Sequence, residues 1–455
     1  MMQLSQVSAA VNGELVGEDA ILQGVSTNTR EDCLGRLFVA LKGKNFDAHE
    51  FLDQAQAAGA GAVMIERKNS SNSTLPSILV RDTHQALKDL AAWWRAQFVI
   101  PLIGVTGSVG KTTVKEMLGA IFAEIGEGVV TKGNLNNEIG VPLTLMRLTE
   151  SDQYAVIEMG MNRLGEISRI TSIAKPTIVI INNAAAAHLE GLGSIDAVAQ
   201  AKGEILEGLT ADGLAVINLD DRYAQQWISL AGKRKVITFG LDSSADVWAS
   251  YEHNDNSLSI KVHIAGKSSK IELSALGEHS VRNALAATAA AHAAHVPLKT
   301  IKRGLQAYRT IAGRMNVEKI GDLTLIDDTY NANPTSMRAA IDVLAKYPNS
   351  TLIVADMGEL GAAAEAEHRD LGVYARDAGV ERLLACGELS NLVCAAFGSE
   401  ALHFSEQNTL IAYAMEHLCS GTVLVKGSRF TKMERVVLAL RNKFQDAHAA
   451  SLGGH

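Results

Sequence analysis

Residues Pro101–Glu116 read PLIGVTGSVGKTTVKE, and no other stretch narrows the possible folds as much. Leu102–Val105 is a short apolar run that predicts a buried strand. Gly107, Ser108, Val109 and Gly110 make a tight turn of small residues. Lys111, Thr112 and Thr113 then open a helix that continues through Val114–Phe122. Strand, glycine loop and helix in that order form a phosphate cradle, because glycines let backbone N–H groups approach an anion and the helix N-terminus adds partial positive charge. Lys111 is placed to reach terminal phosphates, and the Thr112 hydroxyl to ligate Mg²⁺. The first glycine of the full pattern G-x-x-x-x-G-K-S/T falls on Val105, so the shorter T-G-x-x-G-K-T is what remains. The plain alternative is an ordinary βα turn with a chance lysine. Two glycines, a lysine and two threonines in the right order after a strand favour a nucleoside triphosphate.

A chain of 455 residues is too long for one core, so two to four domains are expected. Its 42 basic and 50 acidic side chains leave a formal charge of −8, which argues against a nucleic-acid partner gathered by bulk charge. Phosphate must then be held by local groups. Cys33, Cys386, Cys394 and Cys419 show no C-x-x-C spacing and read as reduced thiols. No apolar run is long enough to span a bilayer, and no basic-then-apolar leader is apparent. The expectation is a cytoplasmic protein without membrane insertion.

Residues 1–98 alternate strands (Leu37–Leu41, Ala62–Ile65) with helices (His49–Ala58, His84–Ala96). Two polar segments stand out, Ser26–Arg30 and Lys42–His49. They suit a ligand with phosphates and sugar hydroxyls, and equally a pair of polar turns. Residues 99–313 carry the glycine loop. Beyond its helix comes a loop dense in amides, with Asn134, Asn136, Asn137 and Glu138. Tyr154–Ile157 predicts a strand with Glu158 at its end, where an acid would hold Mg²⁺ opposite Thr112. The strand Thr177–Ile181 runs into Asn182, Asn183, an alanine tract and His188, which is either a metal ligand or the cap of a turn. Lys202 lies on a predicted helix, where the plain reading is a solvated surface lysine. Residues 246–272 alternate as antiparallel strands do. Asn283 falls on the first turn of a predicted helix Arg282–His295, as an adenine contact or simply a helix start. From about Gly313 the pattern becomes regular βαβ units with polar loops after the strands, at Asp327–Pro334, Asp356–Gly361 and Lys426–Arg429. The expected class is α/β in three domains: a small N-terminal α/β domain, a central P-loop-type mononucleotide-binding domain and a C-terminal doubly wound, Rossmann-like domain without G-x-G-x-x-G.

These residues together resemble the Mur ligases, ATP-dependent amide-forming enzymes that build the peptidoglycan stem peptide. The resemblance covers essentially the whole chain and rests on Thr106–Thr113, Asn134–Pro142, Glu158–Gly160, His188–Gly191, Lys202–Glu204, Asn283, Gly313-Arg314, Asp327–Pro334 and Lys426–Arg429. Within the family, Asp356–Gly361 (DMGELG) and Asn331–Pro334 look most like the member that accepts D-alanyl-D-alanine. The Asp-Asn-Pro-Arg segment of the diaminopimelate-adding member is absent. The resemblance implies a monomer that phosphorylates the terminal carboxylate of a UDP-N-acetylmuramoyl-tripeptide with ATP and passes it to D-alanyl-D-alanine. Residues 1–98 would hold the UDP-sugar through Ser26, Thr27, Arg30, Lys42, Asn45, Asp47 and His49. Residues 99–313 would bind ATP through Gly107–Thr113 and Asn283, with Lys111 stabilising the phosphoryl group in transfer. Thr112 and Glu158 would hold one Mg²⁺, and His188 would help hold a second. Lys202 would be carbamylated, which turns a repelled cation into an anionic ligand. Residues 314–455 would take the dipeptide, with Arg314 near the ATP phosphates and Asp328 near the ribose. Asn134, Asn137, Asn331, Asn333, Lys426, Ser428 and Arg429 would bear on the two substrates. A ligase with another acceptor and a P-loop NTPase acting as a switch or motor are the alternatives; the latter needs neither Lys202 nor a C-terminal domain over the site.

Overall fold

The computed structural model describes residues 1–254 and 257–452. Within the predicted antiparallel stretch 246–272, residues 255–256 lie outside the described residues.

The N-terminal sheet has the strand order Glu14–Val16, Ser77–Val80, Ala62–Glu66, Leu37–Val39, Val25–Ser26, with only the first pair antiparallel. The predicted helix at His49 is a 3-10 turn, Ala48–Phe51, followed by the short helix Leu52–Ala57. The helix Thr83–Arg95 starts at Asp82, whose carboxylate accepts the N–H groups of His84 and Gln85 at 2.8 and 3.0 Å. This helix packs on Gly140–Leu145 and Glu166–Ala174. Trp94 Nε1 donates to Leu148 O at 3.1 Å, and the buried Arg95 donates through Nε to Ala174 O at 3.1 Å. One apolar core therefore runs from Met2 through the central unit without a break near residue 98.

The central sheet has nine strands, in the order Lys267–Leu273, Leu258–Ile264, Val247–His253, Lys235–Gly240, Leu214–Asn218, Ile178–Ile181, Leu102–Thr106, Ala155–Glu158, Val129–Val130. The first three are mutually antiparallel and the rest are joined in parallel. Ile178–Ile181, Leu102–Thr106 and Ala155–Glu158 are buried at every position, as parallel strands covered on both faces must be. Lys111–Phe122 and the alanine-rich Glu278–Ala293 pack against one another; the methyl side chains of Ala284, Ala286, Ala287 and Ala289–Ala291 are fully buried and keep the two axes close. That second helix begins a turn earlier than its sequence pattern predicted, so Asn283 stands on its second turn.

The C-terminal sheet runs Asn316–Ile320, Leu323–Asp328, Gly421–Lys426, Ser350–Ala355, Arg382–Cys386, Ala401–Phe404. Asn316–Ile320 is an antiparallel edge strand where only βαβ units were expected. It joins its neighbour through a two-residue turn at Gly321, whose φ of 59° a side chain rarely adopts. The last strand in sequence inserts between the first two parallel ones, which sets Lys426 beside Asp328 and Val354.

Candidate active site

A cleft of about 1500 Å³ lies at the carboxyl ends of the central and C-terminal sheets. Its floor is the glycine loop. Leu102–Thr106 sits between Ala155–Glu158 and Ile178–Ile181, so the three loops that follow those strands are neighbours. The asparagine pair after Ile181 clamps the glycine loop. Asn183 Oδ1 accepts Val109 N–H at 2.9 Å, and the side-chain amides of Asn182 and Asn183 both donate to Val109 O at 3.0 Å. Ser108 Oγ is tied to the backbone of Ala185 through bonds of 2.9 and 3.1 Å. Lys111 curls back to donate to Gly107 O at 2.6 Å. Burial pushes its pKa down, Arg314 adds to that, and Glu158 and Glu359 oppose it. The first bond within the helix is Val114 N–H to Gly110 O at 2.9 Å, which leaves the N–H groups of Lys111, Thr112 and Thr113 to an anion.

Asn283 accepts the Asn182 amide at 3.0 Å and presses on the loop at Gly110. A Cβ at Gly110 would stand 2.3 Å from Asn283 Oδ1 and 2.5 Å from Asn182 Nδ2, on a residue with φ of 81°. Gly110→Ala is therefore expected to lose about 1–3 kcal/mol and most nucleotide affinity. Gly133→Ala is the control, because Gly133 also has positive φ (55°) but no atom within 4 Å of the added carbon. Equal melting temperatures and equal nucleotide affinities for the two variants would remove the crowding argument.

Of the residues expected to hold metal, Thr112, Glu158 and His188 line this cleft, and Lys202 lies outside its lining but within charge range of Glu158. Glu158 is buried at its strand end; its Oε1 accepts from Asn136 Nδ2 at 2.7 Å, and its Oε2 has no hydrogen bond. Lys202 is fully buried on the helix Ile195–Gly203, which overturns the reading of a surface lysine, and its Nζ has no hydrogen-bond partner among the described residues. Burial drives its pKa well below the ordinary lysine value and the charge of Lys111 adds to this, against Glu204 and Glu158. His188 Nδ1 lies 2.7 Å from Glu359 Oε2 but off the line of the ring N–H, so it too is a buried atom without a hydrogen bond. Three unpaired buried polar atoms on these three side chains are what cation ligands look like without their cation. Among the described residues, however, no three His, Cys, Asp or Glu side chains are grouped to hold an ion.

Arg314 reaches across from the C-terminal side. Its Nη2 donates to Thr112 Oγ1 at 3.3 Å, its guanidinium lies 4.0 Å above the Tyr330 ring, and its buried Nε is unpaired. Several other predicted contacts line the cleft but are engaged in structure. Asp328 accepts Met315 N–H at 3.1 Å and pairs with Lys426 at 2.5 Å. Lys426 also donates to Asn331 O and Asp328 O, so all three of its protons are engaged within the protein. Asn333 caps the helix Pro334–Leu344 through Ser336 N–H, and Asn137 Oδ1 accepts the N–H groups of Ile139 and Gly140 where Gly140–Leu145 begins. Ser428 Oγ accepts Gly358 N–H at 2.8 Å and donates to Ala332 O at 3.4 Å. Arg429 pairs with Glu434, while Asn134 and Asn331 remain exposed at the cleft.

The N-terminal group does not join them: Ser26, Thr27, Arg30, Lys42, Asn45, Asp47 and His49 are absent from the cleft wall. His49 is buried with both ring nitrogens engaged within the N-terminal unit, one 2.5 Å from Asp47 and the other accepting Glu66 N–H at 3.0 Å. Ser26 Oγ closes a turn with Asn28. The N-terminal unit instead presents His84 and Lys88, which sequence reasoning passed over. His84 Nε2 lies 2.9 Å from Lys42 O, and Lys88 pairs with Glu138. Their signal was spacing, four apart on one face of a helix. Asn136 and Tyr330 were also missed, although both lay in quoted loops.

A glycine-loop ATP cradle facing a second α/β sheet over one cleft defines a class, and the chain belongs to the Mur ligase family. The family model of the Mur ligase middle domain matches residues 105–291, and that of the Mur ligase glutamate ligase domain matches residues 313–429. The chain is 43% identical to the UDP-N-acetylmuramoyl-tripeptide--D-alanyl-D-alanine ligase of Escherichia coli K12, over 96% of this chain and 98% of that one. It superposes with a TM-score of 0.90 on a crystal structure of MurF from Acinetobacter baumannii, at 34% identity, covering 96% and 98% of the two chains. The MurF ligase of Thermotoga maritima in complex with ADP matches at a TM-score of 0.84 and 26% identity, covering 93% and 98%.

Proposed function

We propose that this protein joins D-alanyl-D-alanine to UDP-N-acetylmuramoyl-tripeptide at the expense of ATP, in the synthesis of peptidoglycan precursors. The observation that carries this reading is the match to D-alanyl-D-alanine ligases along nearly the whole chain, with the cradle and the Asp356–Gly361 loop in one cleft. A carboxylate is a poor electrophile. The tripeptide carboxylate oxygen attacks the γ-phosphorus, ADP leaves, and an acyl phosphate remains. The free amine of the dipeptide attacks that carbonyl carbon, phosphate departs, the amine proton passes to solvent, and an amide is left. Lys111, Arg314 and the N–H groups of Lys111–Thr113 neutralise and orient the phosphoryl oxygens. Residues 1–98 hold the UDP-sugar, 99–313 the ATP and 314–455 the dipeptide, in a monomer acting in the cytoplasm. No helix among the described residues is long and apolar enough to cross a membrane.

Thr112, Glu158, His188 and Lys202 would hold Mg²⁺, which when bound supplies positive charge to the phosphoryl oxygens. Lys202 fits that role as a carbamate: its neutral amine adds to CO₂, loses a proton and presents two oxygens. The lowered pKa leaves more amine unprotonated near neutrality, and acid drains it. Enzyme held in CO₂-free, mildly acidic buffer should lose activity about 10–100-fold, as for a lost metal partner, and regain it with bicarbonate. Activity indifferent to both treatments would dismiss the carbamate. Phosphate release is the test of the reaction itself. It should require ATP, Mg²⁺, the UDP-tripeptide and the dipeptide together, with an amide product of the summed mass. Release without either substrate points instead to an NTPase.

A further inference from the structure

Two loops from opposite walls of the cleft meet at His188, and both carry left-handed backbone on a non-glycine residue: φ is 58° at His188 and 63° at Glu359. Glu359 belongs to the C-terminal loop Asp356–Gly361, and His188 to the central unit. The contact has three parts. Glu359 Oε2 stands 2.7 Å from His188 Nδ1. Glu359 O accepts Glu190 N–H at 3.2 Å. At Gly361, the position of a Cβ lies 3.4 Å from Glu190 Cα, an ordinary packing distance. No hydrogen bond engages His188 Nε2 among the described residues, and the ring lines the cleft. A metal-bound histidine ordinarily donates its second ring N–H to a carboxylate, which fixes tautomer and orientation.

We propose that Glu359 is a positioning residue: by taking the Nδ1–H of His188 it presents the Nε2 lone pair to the cation site, so that this ligand is set only while the C-terminal loop is docked. The inference rests on the reading of His188 as a metal ligand. A small turn of the ring brings Nδ1–H onto the carboxylate. The pair thus links the position of the dipeptide-side domain to the readiness of the ATP side, through one contact that neither domain contains alone.

The test is Mn²⁺ affinity measured by electron paramagnetic resonance on the full chain with a non-hydrolysable ATP analogue, so no turnover enters the readout. Glu359→Ala should weaken Mn²⁺ binding about 10–100-fold, while Glu359→Gln, whose amide oxygen still accepts the N–H, should recover most of it. His188→Ala should lose at least as much. Thermal melts should stay near wild type, because the Glu359 side chain is 57% exposed. Wild-type affinity in Glu359→Ala with weakened binding in His188→Ala overturns the proposal and leaves the metal reading standing. Wild-type affinity in both overturns both. A glutamine variant no better than alanine overturns the orienting role.

Discussion

Lys111→Met is expected to lower kcat about 10²–10³-fold, the range found when one preorganised donor to a developing charge is removed. The substitution keeps the length of the stem and removes only the ammonium. Lys111 is held 2.6 Å from Gly107 O at the mouth of the helix N-terminus, so its charge is already aimed where phosphates must lie. A charge needed equally for binding and for transfer would raise the KM for ATP and spare kcat. A charge needed for transfer lowers kcat and kcat/KM together, and that second pattern is expected here. Because its pKa is lowered, Lys111 loses its proton at a lower pH than an ordinary lysine. The alkaline limb of the wild-type kcat/KM profile, which reports the free enzyme, should reflect this, and Lys111→Met should lack that limb. An unchanged kcat would remove Lys111 from the chemistry.

Lys426→Met is expected to cost about 3–5 kcal/mol of stability, because it leaves the buried Asp328 carboxylate without its cation. The pair is 2.5 Å long, with side chains 3% and 10% exposed and 98 residues apart in sequence. Lys426 also secures Asn331 O at 2.9 Å, so the loop carrying Asn331–Asn333 should loosen as well. Denaturant unfolding measures the loss. Asp328→Asn added to Lys426→Met should restore part of it, since the stranded charge is what costs. If Lys426 serves the dipeptide rather than the fold, the single variant will fold as wild type and show only a raised KM for the dipeptide; that result would overturn the structural role.

Much of the fold was legible because each βα unit announces itself locally. Apolar runs such as Leu102–Thr106 and Ile178–Ile181 stop at polar or glycine-rich loops, and Pro334 sits where a helix begins. The edge strand Asn316–Ile320 was not legible, since its residues are only partly buried and carry little periodicity. In the site, the glycine loop and Glu158 were readable because their chemistry is coded by consecutive residues. Lys202 was not readable from its own neighbours, because nothing in Ala201-Lys202-Gly203 says whether the side chain meets solvent or core. The setting of His49 was hidden for a related reason: a polar turn beside a strand has the composition of a ligand loop, and nothing local shows that its ring meets Asp47 and Glu66.

By itself, then, the sequence determined the phosphate cradle, the succession of βα units and the family to which they belong. These depend on residues within a turn or two of one another, where backbone sterics and hydrophobic periodicity act. The tertiary structure decided which distant groups meet. Inserting Gly421–Lys426 between Leu323–Asp328 and Ser350–Ala355 brought Lys426 to Asp328. Placing Leu102–Thr106 between Ala155–Glu158 and Ile178–Ile181 put Glu158 and the Asn182–Asn183 clamp on either side of the glycine loop. The docking of the Asp356–Gly361 loop set Glu359 against His188. Strand order and domain contact are set by how whole faces of sheet and helix bury one another, a sum over many residues that no local window contains.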